Sequence, residues 1–80
     1  MRIDKFLKNA RIIKRRTIAK EACDQGKVFI NGNSAKPGDE VKAGDQVHIN
    51  FGSNTMKFEI LEVKDNVGKD AASSLYKIIE

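Results

Sequence analysis

The sequence predicts an α+β fold in which two N-terminal helices pack on a small, mainly antiparallel, twisted β-sheet. Two observations support this prediction. Apolar residues recur at intervals of three and four over residues 3–23, which is the spacing of an amphipathic helix. From Val28 onward they alternate with polar residues, and Asn-Gly and Gly-Asp pairs separate the alternating stretches. That pattern is typical of strands joined by tight turns.

The first helix is predicted over residues 3–10. Its apolar face has four members: Ile3, Phe6, Leu7 and Ala10. Asp4 lies in the first turn, where a carboxylate interacts favourably with the helix dipole. Ile12 and Ile13 follow the helix, and we expect them to anchor the connecting segment to the core.

The second helix is predicted over residues 18–25. Thr17 is expected to be its N-cap residue, and Gly26 is expected to be the left-handed residue that ends it. The apolar face has four members: Ile18, Ala19, Ala22 and Cys23. Because most of these side chains are small, the helix is expected to pack closely against the first helix or the sheet.

A β-hairpin is predicted over residues 28–35. The pair Asn31-Gly32 at its tip is the strongest sequence signal for a two-residue type I′ turn, in which both central residues have positive φ. Two further turns are expected at Pro37-Gly38 and over residues 43–45, where glycine again marks a change of chain direction.

Two longer strands follow the hairpin. The first has apolar residues at alternate positions: Val47, Ile49 and Phe51. The second has the same pattern: Met56, Phe58 and Ile60. Leu61 and Val63 are also apolar but occupy the other set of alternate positions. We therefore predict a β-bulge near Ile60-Leu61 that keeps both sets of apolar residues facing the core.

The C-terminal part is predicted to be a loop over residues 65–70, then one or two helical turns, then an edge strand containing Tyr76 and Ile78. We interpret residues 1–80 as one domain, because a chain of this length has enough apolar surface for one small core. Its core motif spans about residues 2–50, and the remaining strand and short helix or edge strand span residues 55–80.

The composition indicates a cytoplasmic chain without a membrane segment. No run approaches the roughly 20 apolar residues that span a bilayer, and the charged N-terminus has no signal-peptide core. The single cysteine, Cys23, excludes an internal disulfide and fits a reducing compartment. We expect a monomer with no membrane partner.

Positive charge is concentrated at the N-terminus. Residues 1–20 hold eight lysines and arginines against one acid, whereas residues 21–80 hold seven lysines against ten acids. The eight N-terminal cations are Arg2, Lys5, Lys8, Arg11, Lys14, Arg15, Arg16 and Lys20. A surface that only needs to be soluble mixes both signs, so this asymmetry predicts one basic face directed at a polyanion.

Arg15 and Arg16 stand directly before the predicted second helix. The free backbone N–H groups and the dipole at a helix N-terminus favour an anion, and the planar guanidinium group suits bidentate phosphate contacts. The sequence therefore predicts a phosphate-binding corner. Recognition through phosphates and RNA shape is favoured over base reading, because Phe29, Phe51 and Phe58 are expected to be buried.

No constellation of catalytic residues is present in the sequence. His48 is the only histidine and is expected at an outward strand position, and Cys23 is expected to pack in the core. Scattered carboxylates with one histidine and one cysteine do not provide the usual ligand count of a metal site. We therefore predict no catalytic residue, no metal site and no cofactor.

The motifs of the first fifty residues resemble the S4 RNA-binding domain. They are the helix start Arg16-Thr17, then Gly26, then Val28-Phe29-Ile30-Asn31-Gly32, then Val41-Lys42-Ala43-Gly44-Asp45-Gln46-Val47. Within that family the chain resembles the short stand-alone members related to the heat-shock protein of fifteen kilodaltons, and among these the bacterial ribosome quality-control factors. The long basic tail of the heat-shock relative is absent from the sequence.

The resemblance implies a specific role. Such factors bind stalled large ribosomal subunits, contact large-subunit ribosomal RNA and the P-site tRNA, and support alanine tailing by a partner, an RqcH-type tailing factor. Matched to the family pattern, the RNA-facing positions are Arg2, Lys5, Arg11, Arg15, Arg16, Thr17 and Lys20. Lys8 and Lys14 are expected to add mainly long-range attraction.

Three other functions stay open from the sequence. S4-type modules also occur in RNA-modifying enzymes, whose catalytic domain would lie outside these 80 residues. A general ribosome-associated or ribosome-assembly role would use the same basic face. A protein-interaction module is the third, with an acidic docking face made of Asp39, Glu40, Glu59, Glu62 and Asp65.

Overall fold

The computed structural model describes residues 1–65 and 67–79. Within these residues, two helices precede a five-stranded antiparallel sheet. The helices are α1 (Ile3–Asn9) and α2 (Arg16–Asp24). The strands are β1 (Val28–Ile30), β2 (Asn33–Ser34), β3 (Gln46–Phe51), β4 (Asn54–Ile60) and β5 (Tyr76–Ile78), in the spatial order β2-β1-β3-β4-β5. The predicted fold class is confirmed.

The core lies between the two helices and one face of the sheet. Phe6 of α1 and Phe58 of β4 are fully buried and stack with their ring centroids 6.2 Å apart. Tyr76 of β5 meets Phe58 edge-on at 5.3 Å. Alternate residues of β3, Val47 and Ile49, are buried in the same core. The predicted apolar face of α1 is confirmed, because all its members are buried.

The β-hairpin and the C-terminal elements follow the prediction closely. Asn31 and Gly32 have φ angles of 52° and 86°, so the turn between β1 and β2 has the positive φ at both positions that a type I′ turn requires. A 3₁₀ helix, Ala72–Leu75, leads into β5, which pairs with β4 as an edge strand.

The two helices end in the same Schellman motif but place different residues in its left-handed position. At the end of α2, Gly26 has φ 74°, and Lys27 N–H donates to the Ala22 carbonyl at 3.0 Å. At the end of α1, Arg11 has φ 58°, and Ile12 N–H donates to the Leu7 carbonyl at 3.1 Å. A side chain in this conformation costs about 1–2 kcal/mol relative to glycine.

Three burial predictions are wrong. Ile18 is 48% exposed, and Phe51, the last residue of β3, is 43% exposed. Both side chains line an open apolar groove of about 290 Å³ beside α2. Phe29 is only half-buried and lies on the outer face of β1, where its ring is 5.3 Å from that of His48.

The segment after β4 also departs from the prediction. The N–H groups of Leu61 and Glu62 both donate to the Leu75 carbonyl, at 2.8 and 3.2 Å, so two residues stand opposite one as in a β-bulge. This does not turn the second apolar set inward, since Leu61 and Val63 are exposed. The chain leaves the sheet here, and no helix or strand among the described residues covers them.

The two strongest sequence motifs are joined to each other by the side chains of Asn31 and Asp45. The Asn31 amide donates to Asp45 at 3.1 Å, and its carbonyl oxygen accepts from the Gln46 N–H at 3.0 Å. The other carboxylate oxygen of Asp45 accepts from the Lys42 N–H at 2.9 Å. Asp45 is buried, so the Asn-Gly turn and the Gly-Asp turn are fixed as one unit at the start of β3.

Replacing Asp45 with alanine is expected to lower the free energy of unfolding by about 1–3 kcal/mol, because the Lys42 N–H and the Asn31 amide lose the buried carboxylate that accepts from them. Burial raises the pKa of Asp45, but hydrogen bonds from Lys42 and Asn31 and the Lys42 charge outweigh it and lower the pKa below its ordinary value. A lowered folded pKa stabilises the fold above pH ~4. That stabilisation is lost as the pH falls through the folded pKa.

Urea denaturation at pH 7 and pH 3 tests this expectation. The control is Asp70→Ala, an exposed carboxylate in a turn, which should leave the midpoint unchanged. Equal midpoints for Asp45→Ala and the native chain at pH 7 would show that the link between the two turns does not stabilise the fold.

Candidate RNA-binding face

The predicted RNA-binding residues lie on α1, on the segment between the helices and on the first two turns of α2. We call this surface the basic face; it consists of Arg2, Lys5, Lys8, Arg11, Lys14, Arg15, Arg16, Thr17 and Lys20. Lys5 is half-buried and the others are exposed. The fold thus brings them onto neighbouring elements, and it separates them into two groups.

The first group is organised by Asp4, whose side chain is only 3% exposed. Its carboxylate lies 3.3 Å from the Arg2 guanidinium and 3.4 Å from the Nε atom of Arg16. The Lys5 N–H donates to the other oxygen at 2.8 Å. Both arginines remain about half exposed, at 49% and 47%. One buried carboxylate therefore holds two guanidinium groups whose outer edges face solvent.

This arrangement gives Asp4 a larger role than the sequence indicated. The sequence placed it in the first turn of α1 and assigned it only a dipole interaction. Arg16 lies twelve positions after Asp4 in the sequence, and the helical periodicity does not indicate that the two side chains come into contact. The one hint of this role in the sequence was that Asp4 is the single acid among the eight cations of residues 1–20.

The N-terminus of α2 is open, whereas that of α1 is closed. The first free N–H groups of α1, on Ile3 and Asp4, donate to the carbonyls of Asp39 and Pro37 at 2.8 and 3.4 Å. At α2, Arg15 is the N-cap residue and no side chain caps the first turn within the described part of the chain. The predicted N-cap, Thr17, is wrong, because the helix starts two residues earlier than predicted, at Arg16, and Thr17 lies exposed in its first turn.

The second group faces a cleft between the end of α1 and the segment after β4. We call it the cationic cleft; it has a volume of about 680 Å³ and is lined by Lys8, Asn9, Arg11, Lys14, Val67 and Lys69. Lys69 was not among the predicted RNA-binding residues, because it is an isolated lysine in a predicted loop. No local pattern could have connected it with the N-terminal cations.

Lys5 is engaged within the chain. Its ammonium group forms an ion pair with Asp65 in the segment after β4. The hydrogen bond and the charge of Lys5 lower the pKa of Asp65 below its ordinary value. Because the side chains of Lys5 and Asp65 are 41% and 61% exposed, water screens this pair and a phosphate can exchange with it at little cost.

The residues that could carry other chemistry lie away from the basic face or are buried. Burial, with smaller contributions from Asp4 and nearby carboxylates, raises the pKa of the Cys23 thiol to about 11. Among residues 1–65 and 67–79, no three His, Cys, Asp or Glu side chains form a group suited to a metal ion. No helix in that part of the chain is long and apolar enough to cross a bilayer.

Comparison with known proteins gives consistent matches. The model of the S4 domain family matches residues 1–47. The RQC P-site tRNA stabilizing factor of Halalkalibacterium halodurans is 54% identical over 98% of this chain and 89% of its own length. The factor of the same name from Bacillus subtilis is 48% identical over 100% of this chain and 93% of its own length.

A solved structure is similar over nearly the whole chain. The trimeric structure of heat shock protein 15 from Vibrio cholerae superposes with a TM-score of 0.90 at 34% identity, covering 99% of this chain and 81% of that one. The agreement extends past residue 47, so the last two strands belong to the shared fold as well.

Proposed function

This chain belongs to the S4 domain family, and from that premise we propose that it is a non-enzymatic RNA-binding factor that acts on the large ribosomal subunit. Its relatives include proteins named RQC P-site tRNA stabilizing factor, at identities near one half. We infer that residues 1–80 act as one S4-type domain, as a monomer, in the cytoplasm.

The observation that carries the proposal is the position of Arg2 and Arg16. Asp4 holds the guanidinium group of Arg16, the first residue of α2, together with that of Arg2, and no side chain in the described part of the chain caps the first turn of α2. RNA phosphates are the ligands that such a corner suits, because preformed donors and positive charge both favour an oxyanion. Arg15, Thr17 and Lys20 extend this corner along α2.

In detail, we propose that the chain binds stalled large subunits and contacts both large-subunit ribosomal RNA and the P-site peptidyl-tRNA. By holding that tRNA it supports C-terminal alanine tailing by an RqcH-type tailing factor. This detail is supported by the name that these relatives carry and by their near full-length similarity to the chain. A general ribosome-assembly role is the alternative, and it predicts binding without any effect on tailing.

The salt dependence of binding tests the proposal. If the basic face neutralises several phosphates, the logarithm of the affinity for purified large subunits should fall steeply and linearly with the logarithm of the salt concentration. Arg15→Ala should make that slope shallower by about 0.7–0.9, the counterion release of one phosphate. Co-sedimentation at three salt concentrations measures the slope.

Glu59→Lys is the matched control, because it changes a charge on β4, outside the basic face. It should raise the association rate slightly and leave dissociation unchanged, since a remote charge alters the field without making a contact. Binding that tolerates salt would instead identify a protein-interaction module. Slower dissociation of Glu59→Lys, as large as the acceleration in Arg15→Ala, would place the strands in the interface too.

A further inference from the structure

Arg11 has a backbone conformation that the fold itself would satisfy better with glycine. The equivalent position at the end of α2 is occupied by Gly26, and both residues close the same pair of Schellman hydrogen bonds. Among the described residues, no hydrogen bond or ion pair of the Arg11 side chain explains its presence at this position, yet Arg11 lines the cationic cleft. Backbone strain retained beside a cleft indicates a role for the side chain in binding.

The opposite wall of the cleft is held in place by contacts with α1. The Asn9 amide donates to the Lys64 carbonyl at 3.1 Å, and Lys5 pairs with Asp65. These contacts fix the start of the segment that carries Lys69 against the end of α1. Lys69 therefore reaches the N-terminal cations although 58 residues separate it from Arg11.

The lining of the cleft determines the class of ligand. Four of its six residues are cations, none is an acid, and the fifth polar group is the Asn9 amide. Pockets for small molecules are mostly apolar, which this cleft is not. Three of its four cations belong to the basic face, and Lys69 extends that face across the cleft. A phosphate backbone has the matching chemistry, because it presents regularly spaced oxyanions.

We propose that the cationic cleft is a second phosphate-binding subsite for RNA, distinct from the corner at Asp4 and completed by Lys69. The inference rests on the proposed function, and it gives Lys8 and Lys14 direct contacts in place of long-range attraction alone. The retained strain at Arg11 is then the consequence of placing a guanidinium group in this subsite.

Three variants test the subsite. Lys69→Glu, in an exposed segment, should weaken binding about tenfold without changing the melting temperature, whereas Lys57→Glu on β4 is the control and should have a much smaller effect.

Arg11→Gly should raise the melting temperature by roughly 4–8 °C, because the strain of a left-handed side chain is removed from a domain of this size. It should still bind about tenfold more weakly. Arg11→Ala keeps the strain and should lose binding without the gain in stability.

Binding is measured to purified large subunits and, in a separate assay, to deacylated bulk tRNA. The assay in which the variants bind more weakly identifies which RNA occupies the cleft. Arg16→Ala combined with Lys69→Ala should multiply the two single losses, as expected for separate subsites. Native-like binding of Lys69→Glu and Arg11→Gly, with Arg16→Ala still impaired, overturns this subsite alone. If Arg16→Ala also binds normally, neither the corner nor the cleft is a site, and loss of binding for none of these variants at any salt concentration would contradict the proposed function itself. Competition by poly-glutamate as strong as that by RNA would overturn the assignment to RNA.

Discussion

Replacing Arg16 with alanine is expected to weaken binding to large ribosomal subunits by about tenfold or more, since a charge-assisted hydrogen bond contributes about 1.5–3 kcal/mol and about 1.4 kcal/mol is tenfold in affinity. Arg16 stands at the first position of α2 and is held by Asp4, so its free edge is already oriented in the absence of RNA. A preorganised group loses little conformational entropy when it binds.

The matched controls are Lys36→Ala and Lys57→Ala, which remove exposed positive charges outside the basic face. Arg16→Lys is the sharper comparison, because it keeps the charge and removes the fork of donors that reaches Asp4 and a phosphate together. We expect Arg16→Lys to lose most of what Arg16→Ala loses. Equal affinities of Arg16→Ala and the two lysine controls would show that only diffuse charge matters and that the corner at α2 is not a site.

Replacing Asp4 with alanine is expected to reduce both stability and binding. The free energy of unfolding should fall by about 1–3 kcal/mol, because the Lys5 N–H and the Arg2 guanidinium lose their acceptor and Arg16 loses its ion-pair partner. The figure is at the low end for a broken buried ion pair, since both arginines are about half exposed and water screens their charge. Urea denaturation measures this loss.

Asp4→Asn separates the two effects. The amide oxygen can still accept from the Lys5 N–H, so much of the stability should return, whereas the arginines are no longer held by a negative charge. We expect weaker RNA binding than in the native chain at a temperature where both are folded. Tighter binding of Asp4→Asn, driven by the gain in net positive charge, would show that Asp4 restrains the arginines and does not orient them for RNA.

Local chemistry explains which elements could be predicted. The period of α1, the glycine that ends α2 and the Asn31-Gly32 turn each depend on a few consecutive residues, and all three were found where the sequence placed them. The start of α2 was wrong by two residues because Thr17 is a good N-cap by type, while the backbone of Arg15 already makes the first helical bond to Ala19. The residue type preferred at a helix end predicts the first residue of a helix less well than the backbone hydrogen bonds that the chain makes there.

Burial was predicted less well, because it depends on what covers a residue. Ile18 and Phe51 follow the expected apolar patterns, but both line the open groove beside α2 and are not covered there. Leu61 and Val63 lie where the chain leaves the sheet. Periodicity identifies the apolar side of an element and does not say how far the neighbouring element extends over it.

The sequence by itself determined the fold class, the order of the elements and the presence of one basic segment, since these follow from residue type and short-range spacing. The tertiary structure decided how that segment is used. It joins Asp4 to Arg2 and Arg16, and it brings Lys69 to the cleft beside Arg11. Ion pairing and the shape of a cleft depend on distances between side chains far apart in the chain, and only the packing of the helices against the sheet sets those distances.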